Sequence, residues 1–182
     1  MSRIIQSMSQ AYLQSSLDMV RRTFTDYENA EEAQIVVSLI EEIRSMDTYI
    51  PQLELIMTDE NDEVIGYAMF SGFHLGGQFK DELLLLSPVA VKVELQRQHI
   101  SKELIEYGFE RARKMGYKAV IVEGNPRNYQ SRGFMTSADF GIVAAESVGL
   151  PAVECLMVKE LCENALEHIS GVVAYTDYKN LT

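Results

Sequence analysis

The 182-residue chain has a formal net charge of -11, with 47% hydrophobic and 24% charged residues. That length and composition are typical of one globular domain with a sizeable core. The acidic balance, without any arginine- or lysine-rich stretch, argues against a nucleic-acid-binding protein.

The first part of the chain predicts an edge strand followed by two helices. Residues 3–6 form a short segment with an apolar centre, which favours a strand. Residues 10–23 favour a helix. Residues 30–46 carry apolar side chains close to a 3.6-residue period, which predicts a second, amphipathic helix. Asn29 is its expected N-cap, and the glutamates that follow in the first turn favour the helix dipole.

The pattern then changes to strands. Residues 53–58 and 63–74 predict a hairpin, joined by the turn-forming run Asp-Glu-Asn-Asp. Gly76 and Gly77 turn the chain into residues 82–93, where four consecutive leucines make both faces apolar. This is typical of a central strand that is covered on both sides.

A polar loop leads from that strand into a third predicted helix. Ile100, Leu104, Gly108, Ala112 and Met115 form its apolar stripe, and Gly116 suits its C-terminal end. The apolar residues 118–123 then predict a buried strand. A strand, a crossover helix and a strand of these lengths indicate a parallel βαβ unit.

The remaining residues predict shorter elements. We expect a short helix over residues 126–131 and strands over residues 137–143, 152–159 and 172–175. The complete pattern predicts a mixed α/β (α+β) fold, one domain over residues 1–182, with a mixed sheet of about six or seven strands flanked by helices.

Targeting signals and metal motifs are not expected. Cys155 and Cys162 form no CxxC pair, so a zinc site is not predicted and reduced thiols are the default. The N-terminal sequence MSRIIQSMSQ does not resemble a signal peptide, and no stretch approaches the roughly 18 apolar residues of a membrane span. The sequence therefore predicts a cytoplasmic protein.

The loop before the third helix is a candidate anion site. Backbone N–H groups point outward at a helix N-terminus, and the helix dipole favours negative charge there. Arg97 and Lys102 add positive charge to an acidic chain. From these residues alone, an ordinary helix packed on the sheet remains the alternative.

Two motifs resemble the GNAT superfamily of acyl-CoA N-acyltransferases. SPVAVKVELQRQHIS, residues 87–101, is similar to the family's strand and its Q/R-x-x-G-x-G/A loop, and NYQSRGF, residues 128–134, is similar to its Y-x-x-x-G-F segment. The tail KELCENALEHISGVVAY, residues 159–175, looks like that of a subfamily of bacterial N-acetyltransferases. The order and spacing of these segments extend the resemblance over essentially the whole chain.

The resemblance implies a binding site for acetyl-CoA. Its pyrophosphate would be held by the loop residues Gln96, Arg97, Gln98, His99, Ile100 and Ser101. Both family glycines are replaced, by His99 and Ser101, yet the N–H donors remain because neither residue is proline. Asn125 would either bind the cofactor or cap the short helix.

The resemblance also implies roles in catalysis. Backbone groups of Val89 and Val91 would pair with the pantetheine arm, and the N–H of Ala90 or Val91 would polarise the acetyl carbonyl. Tyr129 would be the general acid, since its reference pKa of about 10 keeps it protonated at neutral pH.

The general base stays open among three residues, Glu82, Glu123 and His74. Glu123 ranks first, because it ends a parallel strand at the edge where open α/β sheets place their ligands.

Three function classes follow. The first is an acetyl-CoA-dependent N-acetyltransferase whose acceptor is a primary amine of a small molecule or peptide, with a homodimer as an open possibility. The second is a coenzyme A-binding sensor or interaction domain that has lost catalysis, motivated by His99 and Ser101. The third is an interaction domain without a cofactor.

Overall fold

A computed structural model describes residues 2–181 of the chain. Residues 2–181 contain four α-helices and nine β-strands. In chain order they are β1 (Ile4–Ser7), α1 (Leu13–Tyr27), α2 (Ala30–Arg44), β2 (Glu54–Thr58), β3 (Val64–Leu75), β4 (Gln78–Val91), α3 (Ile100–Lys114), β5 (Ala119–Glu123), α4 (Pro126–Tyr129), β6 (Met135–Thr136), β7 (Ile142–Ala144), β8 (Leu156–Glu160) and β9 (Gly171–Val173).

Seven strands form one mixed sheet in the order β1-β2-β3-β4-β5-β8-β6, and β7 pairs with β9 in a separate two-stranded sheet. β4 and β5 are parallel, with Leu83, Leu84 and Leu85 opposite Ala119, Val120 and Ile121. β5 and β8 are antiparallel, as are β6 and β8. The predicted mixed α/β fold and its parallel strand–helix–strand unit are therefore confirmed.

The chain divides into two compact units, and β3 and β4 each contribute residues to both. The first unit runs to Ser71 and resumes over Ser87–Gly108, while the second contains Gly72–Leu86 and the chain from Phe109 onward. The expectation of one domain stays a prediction.

In the first unit, α1 and α2 pack together and β1 pairs antiparallel with β2. The N-cap prediction for α2 is confirmed, because the Asn29 side chain accepts a hydrogen bond from the Glu32 N–H. The buried apolar side chains of β2 and β3 include Leu55, Ile56, Tyr67 and Phe70.

In the second unit, β5 is buried from Ala119 to Val122 and emerges at Glu123. The predicted strand over residues 137–143 is wrong in its first half, where Ser137–Phe140 is a 3-10 helix. Gly141 then takes a left-handed backbone (φ 74°), which ends that turn before β7 begins at Ile142. The strand predicted over residues 172–175 is β9, which begins one residue earlier and ends two residues earlier, at Val173.

Residues 2–181 contain neither a candidate membrane span nor a candidate metal cluster. No helix in that range is long and apolar enough to cross a membrane. The same residues contain no group of three or more His, Cys, Asp or Glu side chains placed to hold a metal ion.

Candidate active site

The end of β4 belongs to the first unit and lies beside α1. β4 pairs in parallel with β5 through Leu83, Leu84 and Leu85. Beyond these residues β4 continues to Val91. The Val91 carbonyl accepts hydrogen bonds from Thr23 Oγ1 at 3.3 Å and from Gln96 Nε2 at 3.4 Å. The predicted cofactor contacts involve backbone groups of Val89, Ala90 and Val91. Among these groups, the Val91 carbonyl already accepts hydrogen bonds from within the protein.

The loop between β4 and α3 has an unusual backbone. Arg97 and His99 both take a left-handed conformation, each with φ 64°. That region costs an ordinary L-residue about 1–2 kcal/mol, which is why glycine favours it. His99 occupies the first glycine position of the family loop, so the left-handed conformation is present although the glycine is absent.

Ser101, at the second family glycine position, is different. It lies in the first turn of α3. A right-handed helical backbone suits any L-residue other than proline, so this replacement causes no backbone strain.

The N-terminal half of α3 lies close against β3 in the first unit. A Cβ on Gly66 would come within 2.7 Å of the side chains of Ile100 and Leu104, and one on Gly108 within 2.2 Å of the Phe70 ring. Both positions therefore need glycine, because any larger residue would push the helix away from the strand. This packing fixes the helix N-terminus, where the first N–H groups have no partner within the helix.

Arg3 holds the loop from outside. Its guanidinium donates to the Gln98 backbone carbonyl at 3.1 Å and to Gln98 Oε1 at 3.0 Å. It also lies 3.7 Å from Glu103, in the first turn of α3. Because Gln98 stands between the two left-handed residues, this contact fixes the strained part of the loop.

Two further ion pairs hold the start of the loop. Arg22 of α1 binds Glu94, and Lys92 binds Glu63 at 2.8 Å. The bond to Glu63 is the first cause of the raised pKa of Lys92. These cations are matched by carboxylates, whereas the exposed Arg97 belongs to no ion pair among residues 2–181.

Glu123 is the exposed last residue of β5 in the second unit. Its Oε2 accepts a hydrogen bond of 2.8 Å from the hydroxyl of Tyr175, which is only 6% exposed. Burial, and then the charge of Glu123, raise the pKa of Tyr175 well above its ordinary value. The tyrosine therefore stays a donor and the carboxylate an acceptor.

His74, also in the second unit, has both ring nitrogens engaged. Nδ1 accepts a hydrogen bond from the Gly77 N–H at 2.8 Å, and Nε2 lies 2.5 Å from Asp177 Oδ2. A nitrogen that accepts an N–H bond carries no proton, so Nε2 must carry the proton of a neutral ring. The tautomer assigned in this way leaves no free lone pair, which makes His74 a poor candidate for the general base.

Tyr129 ends α4, and its ring is half-buried. It meets the Phe134 ring edge to face, with centroids 5.7 Å apart, and packs against Gly124, where a Cβ would come within 2.7 Å of it. Burial raises the pKa of its hydroxyl, while Arg132 opposes that shift. Tyr129 is thus held as a protonated phenol.

The last two candidates have other positions. The Asn125 side chain accepts a hydrogen bond from the Arg127 N–H, so it caps α4. Glu82 directly precedes Leu83, opposite Lys118 rather than Glu123 in the β4–β5 register. At about 3.3 Å per residue, it lies roughly 16 Å along the strands from Glu123. The structure therefore does not bring Glu82 and Glu123 together.

Sequence reasoning missed Arg3 and Tyr175. Each acts on a residue far along the chain, Gln98 and Glu123 respectively, and single long-range hydrogen bonds leave no periodic pattern. The signal for Tyr175 was the dense run of polar and aromatic residues in YTDY, residues 175–178.

The chain is similar to several known proteins. Over 163 residues it is 29% identical to the uncharacterized N-acetyltransferase YhbS of Escherichia coli K12, covering 89% of each chain. It is 30% identical over 134 residues to the uncharacterized N-acetyltransferase YjhQ of the same organism, covering 72% of this chain and 71% of the other.

Solved structures share the fold. The complex of Escherichia coli YhbS with CoA superposes with a TM-score of 0.80 at 24% identity, covering 98% of this chain and 94% of the other. A GNAT acetyltransferase from Brucella melitensis in complex with acetyl-CoA gives a TM-score of 0.72 at 20% identity, covering 100% and 99%. Residues 16–140, a range that contains the loop, Glu123 and Tyr129, match the acetyltransferase (GNAT) family. The chain therefore belongs to that family.

Proposed function

We propose that this chain is an acetyl-CoA-dependent N-acetyltransferase that transfers the acetyl group directly to a primary amine of a small molecule or a peptide. Membership of the acetyltransferase family supports the reaction class. Acetyl-CoA as co-substrate agrees with the CoA and acetyl-CoA complexes of the two structural neighbours.

The observation that carries this proposal is the backbone of the loop before α3. His99 keeps a left-handed conformation, and Arg3 holds Gln98 beside it. The loop thus retains a glycine-like path into a helix N-terminus, where N–H groups and the dipole favour an anion. We assign the pyrophosphate to this loop, with Arg97 as the nearby unpaired charge.

Glu123 and Tyr129 supply the proton transfers in this proposal. An alkyl amine with a pKa of about 10 arrives protonated, and Glu123 accepts its proton. The amine nitrogen attacks the thioester carbonyl carbon, so a C–N bond forms and the C–S bond breaks. The departing thiolate takes the proton of the Tyr129 hydroxyl, and the attacking nitrogen releases its second proton to solvent as the amide forms. Solvent then reprotonates Tyr129 and takes the proton from Glu123. Transfer is direct, without an acyl-enzyme.

The first test is binding. Acetyl-CoA at about a hundred times its Kd stabilises a folded protein by about 2.7 kcal/mol, which a thermal-unfolding series detects. Acetyl-CoA and free coenzyme A should both raise the unfolding midpoint. No shift with either at millimolar concentration would overturn the proposal.

The second test is turnover, followed as release of coenzyme A thiol with a panel of primary amines. Glu123→Gln and Tyr129→Phe should each lower kcat by about a hundredfold or more. Glu82→Gln is the matched control for Glu123→Gln and should leave kcat unchanged. Binding without turnover of any amine would instead favour a coenzyme A-binding domain without catalysis.

A further inference from the structure

A segment distant in sequence returns to the end of β5 in the second unit. It follows β9 and contains Tyr175, Asp177 and Tyr178, and we call residues 174–178 the return segment. Tyr175 is the residue of this segment that bonds Glu123, through the hydroxyl contact of 2.8 Å.

Aromatic packing fixes where the Tyr175 hydroxyl lies. Its ring centroid is 6.1 Å from that of Phe73 and 6.3 Å from that of Tyr178, and the Phe73 and Tyr178 centroids are 6.4 Å apart. All three side chains are buried. Such aromatic pairs are favourable beyond the area they bury, so the Tyr175 ring is held by its two aromatic neighbours.

A second contact ties the return segment to β3. Asp177 accepts the Nε2 proton of His74, whose other nitrogen is fixed by the Gly77 N–H. The segment therefore has one anchor that depends on a side-chain charge and another that depends on aromatic packing. Tyr175 connects this anchored segment to Glu123.

The bond from Tyr175 engages one carboxylate oxygen of Glu123 and leaves the other for a substrate. Tyr175 occupies Oε2, and within residues 2–181 no other side chain hydrogen bonds to this carboxylate. Glu123 is exposed at a strand end, and within residues 2–181 the Tyr175 hydroxyl is the side-chain hydrogen-bond donor that restrains its rotation. Without the phenol the carboxylate would sample several rotamers, and with it Oε1 is held in one orientation, open to a substrate proton.

From this geometry we infer that Tyr175 is a positioning residue for the acetyl transfer, acting by fixing the Glu123 carboxylate so that Oε1 faces the acceptor amine. The inference rests on the proposed role of Glu123 as the general base. Tyr175 itself touches neither the amine nor the thioester.

The test compares four variants of the full chain by steady-state kinetics with acetyl-CoA and the best amine of the panel. Tyr175→Phe removes the hydroxyl and keeps the ring in its aromatic cluster. It should lower kcat by about tenfold, because a freely rotating base is misplaced for most of the time, while KM for acetyl-CoA stays within about twofold. Glu123→Gln should lower kcat further.

The double variant Tyr175→Phe/Glu123→Gln decides whether the two residues act together. If Tyr175 acts only through Glu123, the double variant should be no slower than Glu123→Gln alone. A further tenfold loss in the double variant would overturn the inference, as would wild-type kcat in Tyr175→Phe.

Asp177→Asn is the control for a loosened return segment. It weakens the anchor to His74 and leaves the Tyr175 hydroxyl in place, so its kcat should stay close to wild type. A tenfold fall equal to that of Tyr175→Phe would assign the effect to loosening and overturn the inference. Wild-type kcat in Glu123→Gln would instead overturn the assignment of the base in the proposed function, and the positioning role with it.

Discussion

His99 is a residue with a side chain in the left-handed conformation that glycine favours, with φ 64°. The conformational cost is borne within the loop and offset by contacts such as that of Arg3 with Gln98. Such strain is typical of ligand-binding segments, where the surrounding structure determines the backbone.

Replacing His99 by glycine should stabilise the protein. Relief of about 1–2 kcal/mol of left-handed strain exceeds the extra flexibility of glycine in the unfolded chain, about 0.5–1 kcal/mol. We expect a net gain of about 0.5–1 kcal/mol, measured as the free energy of unfolding in urea.

Ser101→Gly is the matched control, because it restores the other family glycine inside a helix. It should destabilise by about 0.5 kcal/mol, since glycine is the poorer helix former. Equal signs for the two variants would contradict the conformational explanation.

At the scale of elements, the loop before α3 is held by Arg3, which directly precedes β1, and by Arg22 of α1. Arg3→Gln removes the guanidinium that binds Gln98 and should weaken acetyl-CoA binding by about tenfold, which corresponds to about 1.4 kcal/mol. Its kcat at saturation should not change. Isothermal titration calorimetry measures the affinity.

Arg21→Gln serves as the control for lost positive charge. The variant replaces arginine by glutamine, as Arg3→Gln does, but on α1. There Arg21 donates a hydrogen bond to the Gln34 side chain and not to the loop. Its affinity should equal that of the wild type. A similar loss in both variants would mean that long-range charge, and not the loop contact, determines the affinity.

A buried carboxylate joins α2 to two strands of the first unit. Glu54 is fully buried and accepts hydrogen bonds from Arg44 Nε at 2.9 Å, from Tyr49 at 2.7 Å and from Tyr67 at 2.5 Å. Every oxygen is satisfied, so the charge is tolerated in the core.

Glu54→Gln should therefore destabilise the protein by about 3 kcal/mol or more, because the half-buried Arg44 loses the counter-charge it has in the core. Glu63→Gln makes the same change in the exposed pair with Lys92 and should cost less than about 1 kcal/mol. Urea unfolding of both variants measures the difference. Comparable losses would show that burial does not distinguish the two pairs.

The long elements could be predicted from the sequence, and single contacts between distant residues could not. Periodicity and the Asn29 cap located α2, and the leucine run located β4, because these signals are local. β7 pairs with β9 through only three residues each, so the pattern over residues 137–143 suggested one longer strand. Tyr175 was missed because its partner Glu123 lies 52 residues away.

At the scale of the whole molecule, tyrosines should limit stability at high pH. Burial, followed by the Glu54 carboxylate, raises the pKa of Tyr67, and burial with Glu123 raises that of Tyr175. Above about pH 10 the unfolded chain loses these protons and the folded chain retains them. Stability is then lost as pH rises, by up to about 1.4 kcal/mol per pH unit for each such tyrosine.

Urea unfolding between about pH 9 and 11 checks this expectation. Tyr67→Phe should lower stability at neutral pH, yet show a shallower alkaline decline than the wild type. Tyr27→Phe changes a tyrosine that is 75% exposed and should leave the slope unchanged. A slope in Tyr67→Phe identical to that of the wild type would contradict the assigned protonation.

The contact between Tyr175 and Glu123 also gives the molecule an optical reporter. The chain has nine tyrosines and no tryptophan, so its ultraviolet emission comes from phenol rings alone. A phenol hydrogen-bonded to a carboxylate emits weakly, because the excited ring transfers its proton to the acceptor. An amine that passes its proton to Oε1 neutralises the carboxylate and weakens its bond to Tyr175, which would brighten the protein. Acceptors could therefore be ranked by fluorescence without any turnover.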